Sequence, residues 1–344
     1  MKRKLNTFPD NKLKVRHFQR KPRPGFSFSL EHIFDDVRKR LADKINFDIK
    51  ICSYFNNGLF TKLYNIIEAG CRQSNGINHI TGEVHYLNLL MRKKKVMLTV
   101  LDCGMMHRKT GLAKKFVQYL YLIWPIRCSN FVTSISQVTK DEILKYTGCK
   151  PEKIIVIPVA VDAIYQPDPK IFNAANPNIL HIGIGPNKNL NRLIDALEGV
   201  QCHFTIIGKL TQAYIDLLDI NTISYTNYYN LTQQEMVQRY KECDILSFVS
   251  TFEGFGMPII EANSVERAVI TSNISSMPEV AADAACLVDP YNVSEIKNGI
   301  KKIINNASYR EALILKGKEN KKRFDADTIA NQYYDIYKKM SRNL

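Results

Sequence analysis

Apolar positions along this 344-residue chain fall into short runs, separated by stretches in which they recur every three or four residues. In the first half the runs predict strands over Lys12–Phe18, Phe47–Cys52, Asn78–Ile80, Val96–Leu101, Asn130–Ser134 and Lys153–Ile157. The helical spacings between them predict helices over Ser29–Leu41, Leu59–Arg72, Leu112–Leu122 and Ser136–Tyr146, the last opening on Ser136 as an N-cap. A turn-rich stretch follows, residues 161–177, with Pro167, Pro169, Asn173, Asn176 and Pro177. The rhythm then restarts. Strands are predicted over Asn178–Ile182, His203–Ile207, Ile245–Val249, Ala268–Ser272 and Ala285–Val288. Helices are predicted over Lys188–Leu197, Thr211–Leu218, Thr232–Lys241, Pro258–Ser264 and Val293–Asn305, with a last amphipathic helix over Ala326–Met340. Strands alternating with helices imply parallel sheets covered on both faces, and the restart implies two of them. The expected division is 1–165 and 166–325, with 326–344 returning to the first domain.

Two segments of the second half carry chemistry. Ser250-Thr-Phe-Glu253-Gly254-Phe255-Gly256-Met257-Pro258-Ile-Ile-Glu261-Ala follows a predicted strand and enters a helix, with Pro258 suited to its first turn. Gly254 and Gly256 let backbone approach a ligand, and the helix start offers amides and a positive dipole end to an anion. Glu253 in the loop and Glu261 one turn into the helix are placed to border one ligand, as paired sugar or ribose hydroxyls would require. His181-Ile-Gly183-Ile-Gly185-Pro-Asn187-Lys188-Asn189-Leu190 repeats the strand–glycine turn–helix design, with Lys188 beside open amides as a diphosphate clamp.

These segments resemble glycosyltransferase family 4, the retaining enzymes of the GT-B fold. Glu253 to Glu261 is similar to that family's E-x7-E signature, and Gly185 to Leu190 to its phosphate-binding turn. Further similarity lies in Ile135-Ser136, in Val156-Ile157-Pro158 with Asp162, and in Ser275-Ser276-Met277-Pro278-Glu279-Val280. The resemblance is specific over roughly residues 130–305 and thinner before them. It implies two Rossmann-like doubly wound domains facing across a cleft, an N-terminal one for the acceptor and a C-terminal one for a nucleotide-sugar donor. It implies that Lys188 with the Gly183, Gly185, Asn187 and Asn189 turn holds the donor diphosphate, and that Glu261 bonds the ribose. By the same resemblance Glu253 and the Gly254–Met257 backbone hold the transferred sugar, and catalysis needs no metal or other cofactor. The departures are Asn187, where many relatives have an arginine shortly before the lysine, and Leu101, where many have a histidine ending a strand.

On the acceptor side, Asp102 or His107 in the loop after Val96–Leu101 could take the missing histidine's place, or Asp102 could cap that loop. His79, Thr81 and His85 border another strand-to-helix turn, where each histidine reads as an acceptor contact or as a buried, satisfied one. Gly25, in Pro24 to Ser29, stands where the family's first glycine-rich loop borders the acceptor.

Composition narrows the partners. The chain is 45% hydrophobic and 24% charged, as ordinary globular proteins are, and its longest apolar run, Phe116–Ile126, is too short to span a bilayer. Eight cysteines without C-x-x-C spacing exclude a zinc knuckle or redox pair and read as free thiols of a cytoplasmic protein. The net charge of +15 lies wholly in the first half, where residues 1–165 carry 29 Lys+Arg against 13 Asp+Glu. That field attracts polyanions, an anionic membrane surface or a lipid diphosphate among them. Lys114 to Trp124, with cations, aromatics and the only tryptophan, reads as an interfacial helix or as a packed Rossmann helix. The expected function is sugar transfer from a nucleotide-diphosphate sugar to a saccharide or lipid-linked saccharide, at or near the inner face of a membrane. A sugar-nucleotide epimerase or a basic, nucleic-acid-binding protein are the alternatives. The first typically lacks E-x7-E, and the second would show a recognition motif that is missing here.

Overall fold

The computed structural model describes residues 12–22 and 29–342. Gly25 with its loop, and the first basic cluster Lys2-Arg3-Lys4, lie outside the described residues. The chain forms two compact units: residues 1–135, 139–157 and 326–344 make the first, 136–138 and 158–325 the second. The changeover falls after Ile157, earlier than residue 165. Tyr165 is buried against the Tyr240 ring at 5.3 Å, which ties this stretch to the second unit.

The first unit holds a six-stranded parallel sheet, β1 (Leu13–Gln19), β2 (Ile45–Ile51), β3 (Ile77–Ile80), β4 (Val96–Val100), β5 (Phe131–Ser134) and β6 (Ile154–Val156), in the order β2-β1-β3-β4-β5-β6. β3 and β4 are buried at every position, as apolar runs covered on both faces should be. The C-terminal helix Ala326–Ser341 packs on β1, β3 and the helix Ser29–Arg40. It closes a polar network: the Tyr337 hydroxyl meets His17 Nε2 at 3.1 Å and His79 Nδ1 at 2.7 Å, while His79 Nε2 meets the Thr99 hydroxyl at 2.8 Å.

The second sheet also has six parallel strands, β7 (Asn178–Ile182), β8 (His203–Ile207), β9 (Tyr225–Tyr228), β10 (Ile245–Phe248), β11 (Ala268–Ser272) and β12 (Cys286–Val288), ordered β12-β11-β10-β7-β8-β9. Both are doubly wound, Rossmann-like folds. Their orders differ: the chain reverses direction between β1 and β3 in the first sheet and between β7 and β10 in the second.

Several expectations need correction. The helix expected over Leu112–Leu122 is a helix Gly111–Gln118, a π turn Tyr119–Ile123 and a further turn Trp124–Arg127, so it runs past Pro125. The π turn restarts the ladder, and Pro125 then sits in a first turn where a missing N–H costs nothing. The helix expected from Lys188 starts at Leu190, because Asn189 is left-handed at φ 61°. Edge strand β9 went unforeseen because Tyr-Thr-Asn-Tyr is half-buried throughout and lacks an aliphatic run. The helix Ala307–Asn320 was missed because its buried side is Arg310, Leu313, Gly317 and Asn320, helical in spacing but largely polar. Gly317 is required there: a Cβ would stand 2.8 Å from the Asn263 side chain of the helix Met257–Ser264.

Among the described residues no helix is long and apolar enough to cross a membrane, and no group of three His, Cys, Asp or Glu side chains is placed to hold a metal ion.

Candidate functional site

In open parallel sheets, ligands bind beyond the carboxyl ends of the strands where strand order reverses. In the second unit that point is flanked by the turn after β7 and the loop after β10, and these hold the two segments singled out above. Gly183 follows β7 at φ 93°, and the Lys188 stem lies across it, 3.0 Å from where a Cβ would stand. Only glycine leaves that path open. Lys188 Nζ lies 4.8 Å from the centroid of the Phe248 ring and 2.7 Å from Glu253 Oε1. Asn187 Nδ2 donates to the same carboxylate oxygen at 3.2 Å and to the Phe252 carbonyl at 3.0 Å, while its own carbonyl accepts from Thr251 N at 2.8 Å. Asn189 fixes the far side, its amide donating to the Val249 carbonyl at 3.0 Å and the Pro290 carbonyl at 2.7 Å. The two segments are thus stitched together, and the ion pair spans the switch point.

The acid loop is held from its other side as well. Ser275 donates to the Glu253 carbonyl at 2.9 Å and accepts from Glu253 N at 3.2 Å; Ser276 donates to the Phe255 carbonyl at 2.6 Å. Gly256, at φ 117°, caps the helix Met257–Ser264, with Pro258 in its first turn. Phe255 differs from the other residues of this loop: its ring is buried against Phe324 at 5.6 Å, so only its backbone is left for a ligand.

Glu261 sits on that helix, half-buried. Its Oε2 accepts from the Tyr240 hydroxyl at 2.5 Å, and Tyr165, packed edge-on against the Tyr240 ring, favours the same ionised carboxylate. Tyr240 is presented by the helix Gln233–Glu242, whose start is locked by a capping box: Thr232 Oγ1 accepts from Glu235 N at 3.3 Å and the Glu235 carboxylate from Thr232 N at 2.7 Å. Burial pushes the Glu261 carboxyl up to about 7, with Asp162 adding to the rise and the two tyrosines and Lys188 opposing it. His181, on β7, is fully buried and held neutral, its pKa lowered to about 4 by burial and then by Lys188.

Tyr165 and Tyr240 were missed by sequence reasoning. One lies in the turn-rich stretch and the other in an ordinary amphipathic helix, and neither bears a local signal. Arg192, one turn beyond Lys188, was missed too; it donates to Asn189 Oδ1 at 2.9 Å and lies 5.2 Å from the Tyr291 ring.

The candidates of the first unit are not brought together in this way. His79 and Thr81 are fully buried: His79 has both ring nitrogens bonded, and the Thr81 hydroxyl donates to the Phe18 carbonyl at 3.2 Å. Burial lowers the His79 pKa to about 3 and holds His17 well below the usual histidine range. His85 is buried with Nδ1 on the Tyr121 carbonyl at 2.7 Å. Of the open readings for these histidines the structure takes the buried, satisfied one, since strand and helix backs face inward. Asp102 is exposed and accepts from Gly104 N at 2.7 Å, capping its loop, and the exposed His107 meets Glu142 at 2.6 Å.

Residues 172–320 match the family model described as glycosyl transferases group 1. Over 233 residues the chain is 25% identical to O-antigen chain mannosyltransferase B of Escherichia coli, covering 61% of each protein. Over 214 residues it is 35% identical to the serotype-specific mannosyltransferase WbdA of Escherichia coli, covering 52% of this chain and 25% of that protein. The chain therefore spans less than two thirds of the curated relatives it matches. Among solved structures, the sucrose-phosphate synthase of Thermosynechococcus elongatus aligns with a TM-score of 0.79 at 13% identity, over 97% of this chain and all of that one. HepE of Anabaena, solved in complex with UDP and glucose, aligns at 0.76 and 15% identity, over 95% of this chain and all of that one. Both likenesses concern the fold, which is GT-B.

Proposed function

We propose that this protein is a retaining glycosyltransferase that moves a sugar from a nucleotide-diphosphate donor to a saccharide or lipid-linked saccharide during polysaccharide assembly. The observation that carries the reading is the Lys188–Glu253 pair at 2.7 Å across the β7/β10 switch point, with Glu261 held close by. The names of the relatives support polysaccharide assembly and make mannose the first sugar to test; the UDP complex of HepE makes uridine the first base.

In this reading the donor diphosphate lies against Lys188 and the amides of the Gly185–Asn189 turn, exchanging with Glu253 as partner of the ammonium. Fixed positive groups then face the oxygen on which charge develops as the sugar leaves, and their effect is large because they need no reorganisation. Arg192, held by Asn189, supplies a second cation one turn on, in place of the arginine missing before Lys188. This charge is what a catalytic metal would otherwise provide, so no metal is required. Glu253, released from Lys188, and the backbone of Gly254 to Met257 hold the sugar hydroxyls, and Glu261 accepts from the ribose. Asp102 and His107, both exposed in the loop after β4, are left to face the acceptor. The protein works in the cytoplasm, which its eight free cysteines support, and reaches an anionic membrane through its basic half.

The test is thermal unfolding of wild type and Glu261→Ala with UDP, GDP, ADP and their sugar conjugates. A ligand at 100 times its dissociation constant adds about 2.7 kcal/mol of stability. One nucleotide should raise the wild-type midpoint and leave the variant unmoved. If none moves a folded wild type, the donor assignment fails.

A further inference from the structure

The helix Leu59–Cys71 has two apolar sides where a surface helix has one. Asn65, Ile66 and Ala69 are buried. At 3.6 residues per turn, Phe60, Tyr64 and Ile67 project to the far side, away from that core, and Leu59 and Leu63 fill the margin between them and Ile66. All five are exposed, Phe60 at 87% and Leu59 at 68%. The face extends beyond the helix. Tyr54 stacks edge-on against Tyr64 with ring centroids 4.9 Å apart, and Ile51, ending the edge strand β2, is exposed as well. Single exposed apolar residues need no explanation, but a contiguous patch on a charged protein does.

We infer that this face is a membrane-docking surface, seated in the interfacial layer of an anionic lipid bilayer. Charge decides between occupants. Residues 50–127 carry twelve basic side chains against three acidic ones. Two lysines stand beside it: Lys21 Nζ donates to the carbonyl of Ser53, next to Tyr54, at 3.1 Å and lies 4.9 Å from the Phe55 ring, and Lys62, one turn after Leu59 on the helix, reaches back to 5.7 Å from the Tyr121 ring. A second copy of the chain would set these like charges against each other, whereas anionic head groups neutralise them. Tyrosines at the margin and lysines around an apolar centre are the layout that places an amphipathic helix in the head-group layer, apolar side down. The surface gives a location to the membrane contact proposed above and does not rest on the donor assignment.

The experiment is flotation with vesicles of phosphatidylcholine alone and of phosphatidylcholine with phosphatidylglycerol, at low and at physiological salt. Wild type should float with the anionic vesicles, more weakly as salt rises. Phe60→Asp/Leu63→Asp, both at exposed positions, should lower vesicle affinity about tenfold or more. Lys21→Glu, which keeps the apolar side intact, should weaken binding mainly at low salt. Leu315→Asp, at an exposed leucine of the second unit, should bind as wild type does. Failure of wild type to float, or flotation of the double variant at wild-type strength, overturns the proposal. So does a wild-type dimer that the double variant dissociates, which would make a second copy the occupant. Nucleotide-induced thermal shifts of the double variant should match wild type, so loss of docking and loss of donor binding are read separately.

Discussion

Each of the two sheets carries an ion pair at the place where its strand order reverses. In the first unit Arg20, just past β1, meets Glu83 in the turn after β3 at 2.6 Å; in the second, Lys188 after β7 meets Glu253 after β10 at 2.7 Å. What surrounds the pairs is different. Glu253 is largely shielded, shares its carboxylate with Asn187 and has its backbone pinned by Ser275 and Ser276. Glu83 is half open to solvent, in a left-handed conformation at φ 50°. The polar residues near it, His79 and Thr81, face inward and are already bonded. The two switch points therefore differ in the partners that hold their charges: only the second has them in a fixed, half-shielded arrangement. Topology alone does not supply that arrangement.

That contrast is most directly broken by removing the two cations in turn. Lys188→Ala should lower kcat for sugar transfer by about a hundredfold or more, the scale of losing one fixed stabilising group from an active site. Arg20→Ala should leave nucleotide-induced thermal shifts unchanged. Equal loss of nucleotide binding in both would mean that the two switch points serve one ligand and that the contrast is mistaken.

The pH responses of the units should run in opposite directions. His79 is held neutral down to about pH 3, and His17 and His85 are shifted down by burial too. Between those folded values and the ordinary histidine range the unfolded chain binds more protons. The first unit should therefore lose stability as pH falls below about 6.5. Glu261 has the reverse sign. Its carboxyl titrates at about 7 when folded, above the usual carboxylate range, so its contribution is full at low pH and is lost as pH rises through 7. Denaturant unfolding across pH, with Glu261→Gln to flatten the upper limb and His79→Gln to change the lower one, separates the two. An upper limb unaltered in Glu261→Gln would remove that residue from the account.

Much of this architecture is legible in the chain. The apolar runs of β7, β8 and β11 coincide with their strands, because a sheet buried on both faces leaves a run that no surface helix would carry. The Lys188–Glu253 meeting was legible only as two separate segments. Neighbouring strands β7 and β10 lie more than sixty residues apart in sequence, and nothing local states that they pair. The tyrosines on Glu261 are illegible for the same reason. The histidines of the first unit mislead because a strand residue beside a turn looks the same in sequence whether it points out or in. Tyr337, which satisfies two of them, is contributed from the far end of the chain.

A smaller effect tests how Glu261 is held. Tyr240→Phe removes one donor from its carboxylate and leaves the ring's packing on Tyr165. The variant should lose about 1 kcal/mol of stability, the usual net worth of such a bond. Because the phenol favours the ionised carboxylate, the Glu261 pKa should rise and nucleotide binding should weaken several-fold at neutral pH, recovering as pH is raised. A pH-independent loss would assign Tyr240 a packing role only.

The smallest effect belongs to the open pair. Glu83→Gly exchanges a strained left-handed residue for one that adopts φ 50° freely, a relief of up to about 1 kcal/mol. Against it stand an ion pair of the exposed kind, worth about 0–1 kcal/mol, and the added freedom of glycine in the unfolded chain. These terms nearly cancel, so the unfolding midpoint should barely move. The opposite is expected of Glu253→Gly, which leaves Lys188 beside an unpaired, half-shielded site and strips Asn187 of an acceptor. If Glu83→Gly proved as costly as Glu253→Gly, the first switch point would be as tightly held as the second.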